Sequence, residues 1–354
     1  MPLDDLPLGL TFDDVLLVPR RSSVRSRSDV SLATRITTGL ALDIPIVAAN
    51  MDTVCEEEMA AEMSRLGGLG VIHRFLPVAV HADQVRRAKE RSPGGLVGAA
   101  VGTDHDLDDR PAALVDAGVD VLVLDIAHGH ADHAIDACRR LKRQFPGIDL
   151  IAGNVATAQG ALDLVEAGAD AVKVGVGPGG VCTTRLVAGV GVPQLSAIDD
   201  VATAEPGVPI IADGGIRSSG DIAKALAAGA DSVMIGSMFA GTRESPGEVE
   251  TSAQGLVKRH RGMASREAVE GRAARSGTSV DDEYFEQRAP EGVEGTVPYT
   301  GGVARLVGGL LGGLKSAMSY QDARTIAELR ANASFVRITP IGLRENGPHA
   351  TGQW

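Results

Sequence analysis

The stretch Ala167-Gly-Ala-Asp-Ala-Val-Lys-Val-Gly175 decides the fold of this 354-residue chain. Its first glycine is typical of a helix end, because glycine readily adopts the left-handed conformation found there. The apolar run that follows is typical of a short parallel strand buried by helices on both faces. The same pattern recurs at 117–125 and at 228–236. The sequence therefore predicts repeated helix-to-strand units.

Further apolar runs predict more strands, and amphipathic stretches predict helices between them. Strands are expected at Ile44–Ala48, Gly70–His73, Val97–Val101, Leu150–Gly153 and Ile210–Asp213, and helices at Glu56–Leu66, Asp132–Phe145, Ala158–Glu166 and Ser219–Ala228. About eight alternating strands and helices predict an α/β fold, the (β/α)8 TIM barrel. A doubly wound open sheet is the alternative, disfavoured because no Gly-x-Gly-x-x-Gly follows an early strand.

Residues 1–354 are expected to form a single barrel domain with two departures from the repeat. The first 40 residues are polar and precede the first clear strand, and residues 255–300 are charged and turn-rich, without a predicted buried strand. A segment of that length in a compact domain is often an active-site lid. Because it follows a late strand, it is expected at the C-terminal rim, where active sites of this fold lie. We therefore predict an active-site flap over about 255–300.

Composition and charge disfavour several classes of function. The formal net charge of −12 argues against nucleic-acid binding through a basic surface. Cys55, Cys138 and Cys182 are too few and too scattered for a disulfide framework or a zinc site. No apolar run reaches the roughly 18 residues of a membrane span, and no signal peptide is recognisable. We expect a cytoplasmic protein that binds neither nucleic acid nor membrane.

Polar groups follow three predicted strands at the same rim. Asp125 ends one strand, Cys182 follows a second within the glycine-rich run 175–185, and Asp213 ends a third. A flat substrate can approach a thiol in a glycine-rich turn closely, which suits a covalent nucleophile. The alternative is a small buried residue with an inert thiol.

Glycines after the late strands predict a phosphate site. Asp213 is followed by Gly214 and Gly215, and Gly236 is followed by Ser237. The backbone N–H groups of such glycines can hold a phosphate where the next helix begins. Asp213 would then bind ribose hydroxyls, or else it caps a helix or a turn.

Together these segments resemble the IMP dehydrogenase and GMP reductase family. The resemblance covers nearly the whole chain and rests on Thr11–Leu17, Asn50–Val54, Val176–Arg185, Asp213–Gly215, Arg261–Met263, Pro290–Gly292 and Phe335–Arg337. It implies that the Cys182 thiolate attacks C2 of a purine nucleotide. It also implies that Thr184 relays a proton and that Glu291, on the flap, acts as acid or base.

The resemblance further implies the remaining binding residues. Substrate binding is expected at Met51, Asp213, Gly214, Gly215, Gly236, Ser237, Gly262, Met263, Ala264, Arg288 and Gly292. A nicotinamide cofactor is expected at Arg74, Asp125, Ile126, Ala127, Asn154, Ser316 and Tyr320. A potassium ion is expected at Gly175, Gly177, Cys182 and Arg185. The subunits are expected to form a homotetramer, to which the segment Glu345–His349 contributes.

Several positions favour the reductase, which converts GMP to IMP and ammonia with NADPH. Asn50, Ser196 and the segment Ser316–Tyr320 resemble reductases, and no regulatory CBS domains interrupt the chain after Pro93. The dehydrogenase, which converts IMP to XMP with NAD, carries a lid Arg-Tyr pair that activates water. Here Glu283 precedes Tyr284 in place of that arginine.

Other positions keep the alternatives open. Arg288 could replace the missing arginine, and the segments 261–264 and 290–295 resemble dehydrogenases. Gly180 stands where the family has a phosphate-binding serine, and His260 is the aromatic residue before Arg261. A divergent purine-nucleotide enzyme or a non-catalytic nucleotide binder is therefore also considered. The retained Cys182 argues against a mere binder.

Overall fold

The computed structural model describes residues 5–103, 106–253 and 255–347. In chain order, the strands are β1 (Val15–Leu17), β2 (Thr34–Arg35), β3 (Ala41–Leu42), β4 (Ile46–Ala48), β5 (Leu69–Ile72), β6 (Val97–Val101), β7 (Val121–Asp125), β8 (Asp149–Val155), β9 (Ala171–Val174), β10 (Ile210–Asp213), β11 (Ser232–Ile235), β12 (Glu250–Ser252), β13 (Gly255–Arg261), β14 (Glu294–Pro298) and β15 (Phe335–Arg337). Strands β4 to β11 pair in parallel, each with the next, and β11 closes on β4. The predicted (β/α)8 barrel is confirmed, and the open sheet is wrong.

Most helices cover the outside of the barrel, and the others lie at its rim or in the flap. They are α1 (Glu57–Arg65), α2 (Val78–Arg91), α3 (Asp109–Asp116), α4 (Asp132–Gln144), α5 (Ala158–Glu166), α6 (Thr184–Val187), α7 (Gln194–Thr203), α8 (Ser219–Ala227), α9 (Ser237–Ala240), α10 (Arg266–Arg275), α11 (Asp282–Glu286), α12 (Val303–Tyr320), α13 (Ile326–Asn332) and α14 (Pro340–Arg344). The chain passes from α2 to β6 through residues 92–96, which leave no room for an inserted domain. None of the helices in the described ranges has the length and apolar character needed to cross a membrane.

The repeated Ala-Gly-x-Asp pattern has a structural cause. Gly118, Gly168 and Gly229 have φ angles of 86°, 104° and 121°, so each ends its helix in the predicted left-handed conformation. The Asp170 carboxylate then accepts a hydrogen bond from the Leu150 backbone N–H of the neighbouring strand at 2.8 Å. The aspartates of the other two repeats bond the neighbouring strand in the same way. Each repeat therefore ends a helix and aligns two strands.

The segment before the barrel contributes apolar side chains to the hydrophobic core. Phe12 and Val15 are each only 1% exposed and belong to the hydrophobic core. Strand β1 pairs antiparallel with β15, which ties the two ends of the described chain together outside the barrel. The polar N-terminal segment thus also contributes apolar side chains to the core.

The flap contains more regular structure than predicted. Strands β12, β13 and β14 form a separate antiparallel sheet, with α10 and α11 between β13 and β14. Val257, Lys258 and His260 of β13 are buried, so the expectation of a segment without a buried strand is wrong. After the flap, α12 packs against α8 and returns along the outside of the barrel. The flap is therefore an insertion between β11, the last barrel strand, and α12, the helix that packs on the barrel after it.

Candidate active site

The three cysteines have different environments. Cys55 and Cys138 are buried, whereas Cys182 is partly exposed. Burial raises the pKa of the Cys138 thiol to about 12 and that of the Cys55 thiol well above its usual range. These two thiols are therefore inert core residues, and Cys182 is the thiol that a substrate can reach.

Cys182 belongs to a short chain of side chains that includes an acid. Its Sγ lies 3.2 Å from Oγ1 of Thr184. The Thr184 hydroxyl donates a hydrogen bond to Oε2 of Glu291 at 2.7 Å. The oxygen of Thr184 thus faces the thiol while its proton faces the carboxylate. This arrangement can pass a proton between Glu291 and a group bound at Cys182.

Backbone pairing brings Glu291 to the barrel. The Thr183 N–H donates to the carbonyl of Glu291 at 3.0 Å, and the Val293 N–H donates to the carbonyl of Val181 at 3.0 Å. The flap segment 291–293 therefore lies along the glycine-rich run 175–185, the cysteine loop. Gly262 makes room for it, since a Cβ there would lie 2.8 Å from the Val181 carbonyl oxygen. The flap is held to the loop by main-chain bonds, which fix the position of Glu291.

A buried lysine joins three of the predicted residues. Lys173 is 1% exposed, and its Nζ donates to Oδ1 of Asp125 at 3.2 Å, to Oδ2 of Asp213 at 2.7 Å and to Oδ1 of Asn154. Burial alone would lower the pKa of Lys173, but the charges of Asp213 and Asp125 hold it above its usual value. The sequence prediction missed this residue, although a lone lysine in an apolar strand was a visible signal.

The same network orients Asp213. Asn154 Nδ2 donates to Oδ2 of Asp213 at 2.9 Å and to the carbonyl of Gly175 at 2.7 Å. The helix cap of α8 is Ser218, whose side chain accepts a hydrogen bond from the backbone of Asp221. The Asp213 carboxylate is therefore held at the mouth of the barrel and does not cap the helix that follows it.

One cavity of about 410 Å³ connects these groups. Its lining includes the predicted residues Cys182, Thr184, Glu291, Met51, Asp213, Gly214, Gly215, Gly236, Ser237, Gly262, Met263, Ala264, Arg74, Asp125, Ile126, Ala127, Asn154, Gly175 and Gly177. The structure thus gathers the expected nucleophile, acid and most of the expected binding residues around one space. A concave site with a few convergent polar groups is typical of a small-molecule enzyme.

Comparisons with known proteins agree with this geometry. A model of the IMP dehydrogenase / GMP reductase domain matches residues 9–349. This chain belongs to the IMP dehydrogenase and GMP reductase family. It is 39% identical to a GMP reductase of Leishmania donovani, over 98% of each protein. It is 40% identical to an inosine-5'-monophosphate dehydrogenase of Aquifex aeolicus, over 96% of this chain and 95% of that protein.

A solved structure of the family has the same fold. It is a Cys-to-Ala variant of GMP reductase from Trypanosoma brucei in complex with guanosine 5'-monophosphate. The TM-score is 0.91, with 36% identity over 98% of each chain. Membership of the family makes this chain a purine nucleotide oxidoreductase, and the family uses a nicotinamide cofactor. Relatives of both activities match at the same level of identity.

Some residues that the family resemblance suggested lie outside the cavity lining. Arg288 has its guanidinium carbon 4.6 Å from the centre of the Tyr284 ring, and both belong to the flap. Ser316 donates to the carbonyl of Gly312 on its own helix, and Tyr320 is 64% exposed at the end of α12. These three residues do not join the site within one chain, because the flap and α12 carry them elsewhere.

Arg185 and Gly292 also lie outside the cavity lining. The Arg185 guanidinium donates to the carbonyls of Val192 at 2.6 Å and Val176 at 3.4 Å, so its side chain cannot be a cation ligand. Gly292 pairs with Cys182 through the backbone. The C-terminal segment expected to join a neighbouring subunit includes residues 348 and 349, which lie outside the described ranges.

A buried aspartate anchors the flap of this family member. Asp52 Oδ2 accepts hydrogen bonds from Arg261 Nη2 at 2.7 Å and from Arg275 Nη1 at 3.2 Å. Burial alone would raise the pKa of Asp52, but the hydrogen bond and charge of Arg261, with Arg275 and His73, hold it below its usual value. Two separate flap elements thus meet one carboxylate at the barrel rim.

Proposed function

We propose that this protein is a GMP reductase, which converts GMP to IMP and ammonia with NADPH through a covalent adduct on Cys182. The hydrogen-bonded chain from Cys182 through Thr184 to Glu291 carries the proposal. It combines a reachable thiol with a carboxyl group that can serve as its acid or base. The GMP bound to the related Trypanosoma brucei reductase supports GMP as the substrate.

The residues of this chain account for the bonds that change. The Cys182 thiolate forms a C–S bond to purine C2, and the electron pair displaced from the C2–N double bond goes to the ring nitrogen, which takes a proton. The exocyclic amine then takes a proton from Glu291 through Thr184 and leaves as ammonia, while the ring nitrogen gives up its proton and its electron pair re-forms the C2–N double bond. The cofactor, when bound, supplies a hydride to C2. The C–S bond then breaks as the ring nitrogen loses its proton and re-forms the C2–N double bond, which releases IMP and restores the thiolate.

The part of the cavity lined by Arg74, Asp125, Ile126 and Ala127 suits a nicotinamide cofactor. Ile126 and Ala127 give an apolar surface there, and Arg74 adds a cation. Asp125, oriented by Lys173, adds a carboxylate that can accept hydrogen bonds from hydroxyl groups. Because these residues share one cavity with Cys182, they would hold a nicotinamide dinucleotide beside the bound purine.

The geometry supports a potassium site less well than it supports the nicotinamide site. Gly175, Gly177 and Cys182 would offer backbone carbonyls, but the Gly175 carbonyl already accepts a hydrogen bond from Asn154. The Arg185 side chain also packs within 2.7 Å of where a Cβ of Gly177 would lie, and brings a positive charge beside the loop. Potassium and the homotetramer remain predictions from the resemblance, and the cytoplasmic location remains a prediction from the sequence. No step of the proposed reaction requires the ion.

IMP dehydrogenase, which uses NAD, is the second candidate. The stacking of Arg288 on Tyr284 favours it, since an arginine and a tyrosine are again adjacent on the flap. One observation favours the reductase over it. Neither Arg288 nor Tyr284 lines the cavity.

Nicotinamide absorbance tests the proposal directly. We expect loss of NADPH absorbance when GMP is added, and no such loss with the Cys182→Ala variant, which should still bind GMP. The Cys138→Ala variant is the matched control, because that thiol is buried in the core. Formation of NADH from NAD and IMP, without any reaction of GMP, would establish the dehydrogenase. Absence of turnover with every purine nucleotide would leave only a binding protein.

A further inference from the structure

Phe75 joins the cofactor part of the cavity to the flap. It lies just after β5 and is 7% exposed. Phe75 and its neighbour Arg74 line the cavity, whereas Arg272, on the flap helix α10, is not among the described residues that line it. The guanidinium carbons of Arg74 and Arg272 lie 5.4 Å and 5.1 Å from the centre of the Phe75 ring. One aromatic ring thus contacts two cations, one from the barrel and one from the flap.

Helix α10 meets the segment around Phe75 at a second point. Arg275 Nη1 donates to the carbonyl of Phe75 at 3.2 Å and to the buried carboxylate of Asp52 at 3.2 Å. Arg272 and Arg275 lie about one helical turn apart, so their side chains reach the same patch of the barrel rim. The position of α10 therefore depends on both the ring and the main chain of Phe75.

The guanidinium of Arg74 is packed closely against the end of β6. Gly102 directly follows that strand, and a Cβ there would lie 2.8 Å from Nη1 and 2.9 Å from Cζ of Arg74. The glycine thus leaves room for the guanidinium beside the backbone. Arg74 is consequently held between the barrel and the Phe75 ring, where its charge faces the cofactor part of the cavity.

The two guanidinium groups place like charges beside one ring. Like charges at this separation repel each other, so the charge of Arg74 opposes the docking of Arg272. A nicotinamide dinucleotide carries a diphosphate, and its negative charge beside Arg74 offsets this repulsion. Docking of α10 in turn adds a cation near the bound anion. Each event should therefore favour the other, which is a coupling between two sites.

We propose that Phe75 couples cofactor binding to the docking of α10, and that Arg272 is a positioning residue that acts through the ring. The flap, which also carries Glu291, is then held most firmly when the cofactor lies beside Arg74. The proposal rests on the proposed function in one respect, that a nicotinamide dinucleotide binds beside Arg74. It does not depend on the direction of hydride transfer.

Two arginines of α10 provide a matched pair of variants. Arg272→Gln removes the cation that reaches Phe75. Arg266→Gln removes a cation of the same helix whose guanidinium carbon lies 4.6 Å from the ring centre of Phe285, within the flap itself. Phe75→Leu removes the aromatic ring and keeps an apolar side chain. The affinities of the full chain for NADP+, NAD+ and GMP are measured by calorimetry. Hydrogen exchange in residues 266–275 is measured with and without the dinucleotide that binds more tightly.

We expect the dinucleotide to slow exchange in residues 266–275 of the native protein about fivefold, as for a modest coupling between sites. Arg272→Gln and Phe75→Leu should each abolish this slowing and weaken dinucleotide binding by about the same factor, because coupling is reciprocal. Arg266→Gln should retain both the slowing and the affinity. GMP affinity should be unchanged in all three variants. In the double variant the two losses should not multiply, since both residues belong to one contact.

Three results would overturn the proposal. One is unchanged exchange in α10 when the dinucleotide binds. Another is an equal loss of dinucleotide affinity in Arg272→Gln and Arg266→Gln, which would indicate general damage to the helix. The third is multiplication of the Arg272→Gln and Phe75→Leu losses. If Phe75→Leu does not fold, Arg272→Lys takes its place: it keeps the cation, and loss of the coupling there would contradict the proposal.

The same measurements separate this inference from the proposed function. Failure of both dinucleotides to bind would refute the inference together with the cofactor site beside Arg74. Reduction of GMP by a protein that shows no coupling would refute the inference alone. Coupling in a protein that does not reduce GMP would refute the reductase alone.

Discussion

The barrel rim and the flap hold their charged groups in different ways. At the rim, Lys173 is buried between Asp125 and Asp213. On the flap, ion pairs such as Arg266 with Asp282 are largely exposed, and those two side chains are 46% and 81% exposed. Exposed pairs contribute little to stability, whereas a buried charge depends strongly on its partner. The rim is thus a fixed scaffold, and the flap depends on a few contacts to bring its acid into place.

The largest expected effect is the loss of kcat when Glu291, the acid that the flap supplies, is removed. Glu291→Gln removes the ionisable group at the end of the Cys182–Thr184 chain and should lower kcat about a hundredfold or more, as for loss of a general acid or base. GMP affinity should change little. The control is Glu283→Gln, an exposed carboxylate on the same flap. Near-normal kcat in Glu291→Gln would remove Glu291 from the reaction.

Removing the buried charge of Lys173 should lower the stability of the protein. Lys173→Met leaves two carboxylates without their cation and should cost about 3–5 kcal/mol of unfolding free energy in urea titrations. Arg139→Met, which breaks an exposed pair with Asp136, should cost no more than about 1 kcal/mol. Similar losses in both variants would contradict the distinction between rim and surface.

The anchor of the flap should affect the flap more than the barrel. Asp52→Asn weakens the contacts to Arg261 and Arg275, and we expect about tenfold faster hydrogen exchange or proteolysis within residues 266–298. Asp282→Asn, an exposed control on the flap, should have little effect. Equal exchange in Asp52→Asn and the native protein would show that main-chain pairing alone holds the flap.

The same anchor predicts a pH dependence with a definite sign. Because the folded protein holds the pKa of Asp52 below its usual value, the anchor stabilises the closed flap fully above the unfolded-state pKa of about 3.9. This stabilisation is lost as the pH falls below that value through the lower folded pKa. Flap exchange should rise in that window in the native protein and much less in Asp52→Asn. An equal rise in both would assign the opening to other groups.

The smallest expected effect is that of Arg288→Ala on GMP turnover, and it distinguishes the two candidate activities. Arg288→Ala removes an exposed stacking contact on Tyr284, worth about 0.5–1 kcal/mol, and a reductase should lose less than about fivefold in GMP turnover. A much larger loss would indicate that Arg288 takes part in the chemistry, as the dehydrogenase alternative requires.

The sequence predicted the parts that local patterns specify. The glycine before each apolar strand indicated helix ends, and strands such as Val97–Val101 and Ile210–Asp213 have the predicted bounds. Cys182 and Thr184 are close in sequence, so their geometry follows from one loop. Glu291 was assigned by resemblance, because 107 positions separate it from Thr184.

The contacts that the sequence did not predict join distant positions. Lys173 lies 48 positions from Asp125 and 40 from Asp213, so no local pattern identified these carboxylates as its partners. The flap anchor joins Asp52 to Arg261 across 209 positions. The burial of β13 has a similar cause, since it packs on the barrel rim. Such contacts depend on how the barrel closes, which no local pattern records.

The central claim is that Cys182 supports the loss of ammonia from purine C2. The most direct test uses GMP labelled isotopically on its exocyclic nitrogen, together with NADPH, and analyses ammonium by mass spectrometry. We predict labelled ammonium in equal amount to the NADPH consumed, with IMP as the other product and no release from the Cys182→Ala variant. Absence of labelled ammonium, with NADH formed from NAD and IMP, would contradict the claim.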